Sequence, residues 1–345
     1  MNNKNNINLS DNNDPKNMSL FRSLKIGSYS YKAIDNTFCF FKSINNIICL
    51  VFANDKNSIL SFNLLKNEKI NEIKNAHDFL ISNFRYYLEE NKKRDLIISI
   101  SCDDNNIKLW DAYNWMCITN ILNANQDGLL LSACLLINDN NRYIISSNCN
   151  YDGGESIKVF DFMGNKIKDI NESYYSTYFI DVYFDKNLSK NYIVQGNRDC
   201  VISYYFDENL KYQEYNRNDQ NNHDSIIVYI KENIVNLIES SEDGNIRIWN
   251  FHTAELLKTI SINDQGGIYP LYGICLWNEK YLFVGCENNI IKLIDIEEGA
   301  IIKDLIGHNN MALCIKKIYL PNYGDCLLSQ GYEDDKLILW NLNNQ

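Results

Sequence analysis

The chain has 345 residues, 45% of them hydrophobic, and a formal net charge of -11. That length allows one large domain or two ordinary ones with a sizeable core, while the acidic balance argues against nucleic-acid binding by phosphate neutralisation. No apolar run is long enough to cross a membrane, and the 11 cysteines include no Cys-x-x-Cys pair, which removes the zinc and thioredoxin spacings.

Residues 1–18 are rich in Asn and Asp, lack the apolar segment of a signal peptide, and are too polar to pack, so a disordered tail is expected there. "SLFRSLKI" (19–26) follows as a short strand, and "TFCFF" starts the next. "ENKKRD" (90–95), the densest basic spot, is flanked by acids and reads as a solvated loop. Along the chain one stretch keeps returning. It occurs as "KNSILSFN" (56–63), "DDNNIKLWD" (103–111), "GGESIKVFD" (153–161), "DCVISYYFD" (199–207), "EDGNIRIWN" (242–250), "ENNIIKLID" (287–295) and "EDDKLILWN" (333–341). Each copy ends in a large apolar residue followed by Asp or Asn. The anchors are Phe62, Trp110, Phe160, Phe206 (with Tyr205 as the alternative), Trp249, Ile294 and Trp340, at spacings of 48, 50, 46, 43, 45 and 46.

Within a copy the apolar residues alternate as in a strand. A second apolar run precedes each copy across an Asp, Asn or Gly turn, and a further run follows it. With only 15 Gly and 3 Pro, Asn is the expected turn former. Each repeat therefore holds about four short strands, which is the make-up of a propeller blade. The cysteines sit mostly inside apolar runs such as "IICLV" and "YGICLW", as buried free thiols do in a reducing compartment, so a cytoplasmic or nuclear address is expected.

The chain resembles the WD-repeat β-propeller family over residues 19–345. Trp110-Asp111 keeps the family's literal pair, Trp249-Asn250 and Trp340-Asn341 come close, and Gly307-His308 keeps its Gly-His. The resemblance implies an all-β, seven-bladed propeller of four-stranded antiparallel blades. The last blade lacks an outer strand, and residues 19–26 are expected to supply it. The resemblance also implies that His77 with Asp104 and Trp110, His223 with Asp243 and Trp249, and His308 with Asp334 and Trp340 are structural sets that hold each hairpin. Three copies of a set suit architecture better than an active site. His252 matches no such set and is expected to be an exposed loop residue.

No Gly-x-Ser-x-Gly, phosphate loop or His-Glu-x-x-His occurs, so no catalytic, cofactor-binding or metal residues are assigned and a non-enzyme is expected. By the resemblance, the protein is a monomeric scaffold that presents loop surfaces to other proteins within a larger assembly, with no nucleic acid and no membrane insertion. Tyr29, Tyr31, Tyr174, Tyr175, Tyr178, Arg198, Tyr269 and Met311 are the candidate contacts, because Tyr and Arg are favoured interface anchors. A ubiquitin-ligase substrate receptor or a phosphoinositide-binding propeller is the alternative. Against these, no adjacent Arg pair occurs, and Tyr113, His252 and Asn343 stand where such receptors often carry Arg. A G-protein β subunit is disfavoured because its coiled coil is missing.

Overall fold

The computed structural model describes residues 14–25, 37–43, 47–54, 56–124, 128–137, 142–149, 154–173, 177–216, 221–262, 270–332, 334 and 336–341. They form seven four-stranded antiparallel sheets arranged as the blades of a propeller. Blade 1 starts with Phe38–Lys42, blade 2 with Ile81–Glu89, blade 3 with Leu129–Ile137, and blade 4 with Thr177–Asp185. Blades 5, 6 and 7 start with His223–Lys231, Leu271–Leu276 and Ala312–Leu320.

Packing follows from the alternation of each strand. A blade has two faces and buries both against its neighbours. Seven apolar clusters result, one at every junction between successive blades, the last joining blade 7 to blade 1. Gly196 and Gly285 occupy the same place on the second strands of blades 4 and 6. A Cβ there would lie 2.4 Å from the His223 carbonyl oxygen and 1.9 Å from that of Ala312, so each glycine lets the next blade close in. Hairpins turn largely on Asn. Eight of the thirteen non-glycine residues with positive φ among the described residues are Asn, which tolerates that region at small cost.

Ser19–Lys25 closes the ring as the outer strand of blade 7, antiparallel to Lys336–Asn341, with Leu20 opposite Trp340 and Lys25 opposite Lys336. Packing begins before residue 19. The Asp14 carboxylate accepts from the Lys16 amide at 3.0 Å, Pro15 is buried, and Met18 sits fully buried in the junction of blades 6 and 7. Residues 14–18 therefore leave the expected tail and join the domain. Residues 1–13 lie outside the described residues. The ten cysteines whose side chains the structure describes are free thiols, nine of them buried and Cys117 exposed. Among the described residues no helix is long and apolar enough to cross a membrane.

One anchor moves. In every blade the outer strand bulges opposite the step into the third strand's anchor, and in blade 4 the extra residue is Tyr212, opposite the step from Ser203 to Tyr204. The 2% exposed Tyr204 occupies the place held by Trp110 in blade 2, and packs in the junction with blade 3. Phe206, the residue expected there, lies two positions further on, where its amide bonds the Asn191 carbonyl as that of Ala112 bonds Asp95. The alternative, Tyr205, occupies the Asp111 place. Three consecutive aromatics had hidden the register.

Candidate functional site

Two of the three His/Asp/Trp sets share one geometry. In blade 2, His77 Nδ1 lies 3.3 Å from Asp104 Oδ2 and its Nε2 lies 2.8 Å from Ser99 Oγ. The Trp110 indole donates to the same hydroxyl at 2.9 Å. In blade 7 the corresponding distances are 2.8 Å to Asp334, 2.7 Å to Ser329 and 2.7 Å from Trp340. The end groups dictate where the protons lie. An indole only donates and an ionised carboxylate only accepts. Trp N–H therefore donates to Ser Oγ, Ser O–H to His Nε2, and His Nδ1–H to Asp. The imidazole is neutral in this chain, and no donor is left over. Ser99 and Ser329, which the sequence reading missed, are the hubs, each lying on the second strand two places from its anchor's partner.

The electrostatics agree. Burial pushes the His77 pKa below its ordinary value, against the opposing pull of Asp104. Burial also works against the Asp104 charge. The His77 hydrogen bond, together with the Asn106 and Asp78 amides, outweighs it and holds the carboxyl below the usual range. Asp334 is lowered in the same way by His308 and the Asn309 amide.

A pH dependence follows from these directions. The unfolded chain takes up the His77 proton first, near the ordinary value of about 6.5. The contribution of His77 is thus complete above that pH and is lost as the pH falls. The carboxylate contributions persist until about pH 4 and disappear below it. Thermal melting is expected to weaken between about pH 7 and pH 5, with a shallower slope in His77→Gln. A melting temperature flat across that window in the native chain would rule this out.

Blade 5 departs from the scheme. His223 Nδ1 pairs with Glu239 at 2.6 Å, and Trp249 Nε1 donates to the other Glu239 oxygen at 3.5 Å. Asp243, expected to accept from His223, is instead bridged by the Arg247 guanidinium, with Nη1 at 3.3 Å, and by the Asn245 side chain at 3.0 Å. Burial opposes the Asp243 charge, but Arg247 and Asn245 overcome it and lower its pKa. The cause is one substitution in register. Glu239, fully buried, stands where the other two blades have Ser. Its two oxygens take both donors without a relay.

His252 is not a loose loop residue. Its Nε2 lies 3.1 Å from the buried Asp185 carboxylate, and its Nδ1 lies 2.9 Å from the Tyr212 hydroxyl. It thereby ties blade 5 to blade 4 beside Tyr192 and Phe251. The partners come from the previous repeat, so no local pattern announced them.

Of the proposed contact residues, Tyr29, Tyr31, Tyr174, Tyr175 and Tyr269 lie outside the described residues. Arg198 is exposed in a hairpin turn, whereas Tyr178 and Met311 are half-buried. These three lie at the end of the ring that holds the His-bearing loops.

The first strands of the blades surround a central channel. Arg85 of blade 2 crosses it, donating to the Ile180 carbonyl at 2.6 Å and to Ser132 of blade 3 at 3.3 Å, and pairing with Asp181 of blade 4 at 3.1 Å. Its guanidinium also lies 5.3 Å from the Phe179 ring centre. Beside this bar lies a cavity of about 920 Å³.

No protein-family model matches the chain. It is similar to GID complex subunit 7 of Schizosaccharomyces pombe, at 29% identity over 102 residues, which is 29% of this chain and 19% of that protein. It is also similar to the WD repeat domain-containing protein 83 homolog of Dictyostelium discoideum. There the identity is 28% over 107 residues, 31% of this chain and 30% of that protein. The matches thus span less than a third of each relative.

Proposed function

We propose that this chain, a seven-bladed WD-repeat β-propeller, is a non-catalytic scaffold that holds other proteins in a complex. One observation carries the reading. The groups best able to do chemistry, the His/Asp sets, are buried in blade junctions and already bonded to one another. What the ring offers outward is large apolar side chains on its outer strands and turns. A relative whose name makes it a complex subunit supports the same reading. The partners are proteins, without nucleic acid or membrane insertion, the propeller itself is one copy, and its address is the cytoplasm or nucleus.

Size-exclusion of a native cell extract, followed by crosslinking, tests this. The chain is expected to elute well ahead of the purified protein and to crosslink to the same partners in replicate. Elution at the position of the free monomer in fresh extract would overturn it.

A further inference from the structure

The channel opens at the end of the ring away from the histidine-bearing loops, and its mouth is built for a ligand. Leu88, Phe184, Ile230 and Tyr319 are the eighth residues of the nine-residue first strands of blades 2, 4, 5 and 7. They are 50%, 48%, 51% and 63% exposed. Covering half-exposed side chains of this size removes apolar surface from water, so a cover over this ring is favoured. Leu88 and Tyr319 also line the cavity of about 920 Å³ that runs inward from it. The charge of the lining is one-sided. It holds Lys42, Arg85, Lys316 and Lys317 against the single carboxylate of Asp181, and that carboxylate already pairs with Arg85. Lys317 also reaches Asp325 at 2.9 Å outside the lining. A cationic, apolar well in a chain of net charge -11 is selective against the chain's own surface.

We propose that this mouth binds an acidic peptide segment of a partner protein, with a bulky apolar side chain entering the channel and neighbouring carboxylates meeting Lys42. The proposal rests on the scaffold reading and names its site. A peptide fits better than a small amphiphile, because the half-exposed ring extends past the cavity to Phe184 and Ile230. A ligand filling only the well would leave those side chains in water.

The test pans a random phage-displayed peptide library on the immobilised full chain, then measures fluorescein-labelled synthetic copies by anisotropy. Recovered sequences are expected to place Asp or Glu beside Phe, Trp or Leu. Lys42→Glu and Leu88→Asp are each expected to weaken binding about tenfold or more, and added salt to weaken it further. Lys56→Glu, in an exposed hairpin turn of blade 1 at the opposite end of the ring, is expected to leave it unchanged. Melting curves of the variants establish that they fold. Basic consensus sequences, affinity indifferent to both channel variants, no recovered peptide, or equal binding of free decanoate would each overturn the proposal. The native-extract experiment separates the two readings. An assembly that survives Lys42→Glu and Leu88→Asp refutes the channel site and leaves the scaffold standing. A native chain that is never in an assembly refutes the scaffold.

Discussion

Deleting residues 14–25 is expected to abolish the cooperative thermal transition, whereas deleting residues 1–12 leaves it in place. Residues 14–25 supply the whole outer strand of blade 7, the fully buried Met18, and Leu24, 5% exposed in the junction of blades 7 and 1. Full burial of a side chain of this class is worth about 1.5–3 kcal/mol. Without the strand, Lys336–Asn341 also becomes an open sheet edge, which invites association. Lys303, which donates to the Met18 carbonyl at 2.6 Å, loses that acceptor too. Residues 1–12 are rich in Asn, and no comparable loss is expected from removing them. Circular dichroism melting of both deletion variants, with a synthetic 14–26 peptide added back to the protein that lacks residues 14–25, is the measurement. A cooperative transition at the native temperature without residues 14–25 would mean that the ring does not depend on this strand.

The second large effect lies in the junction of blades 6 and 7. Trp340→Ala is expected to cost about 3–5 kcal/mol, because it opens a cavity among Phe283, Leu293 and Ile315 and removes an indole donor. Ser329→Ala, which removes only an oxygen, is expected to cost about 1–3 kcal/mol, since it strands the Trp340 N–H and the His308 Nε2 acceptor together. The double variant should lose less than the sum, because one hydroxyl serves both groups. In blade 5 the order differs. Glu239→Ala is expected to fall in the range of Ser329→Ala or above it. Asp243→Ala should cost less, since it takes a partner from Arg247 and leaves the contacts of His223 and Trp249 with Glu239 intact. Equal losses for Asp243→Ala and Glu239→Ala in denaturant titrations would contradict the assigned pairing.

These expectations show where sequence reasoning reached its limit. Trp110, Trp249 and Trp340 were legible as anchors because each ends an alternating run at a nearly constant interval. Tyr204 was not, because three aromatics in succession satisfy the same pattern and only the bulge at Tyr212 on the facing strand picks one. Ser99 and Ser329 were invisible for a different reason. A serine on a strand is unremarked until the fold brings a histidine from the preceding loop and an indole from the next strand to its oxygen. The Glu239 exchange shows the same limit. In one dimension Asp243 matched Asp104 and Asp334, but a carboxylate placed on the neighbouring strand took the imidazole first.

By itself the sequence determined the number of blades, their antiparallel make-up, the closure of the last blade by the first strand, and the residues that mark six of the seven third strands. Those features depend on alternation and spacing along one chain, which a linear reading can follow. The tertiary structure alone decided the hubs of the hydrogen-bonded sets, the partners of His252 and Asp243, and the crossing of the channel by Arg85. Each of these joins side chains from different strands or blades. Their partnership rests on a few ångströms of register across a junction, a distance that no interval in the sequence records.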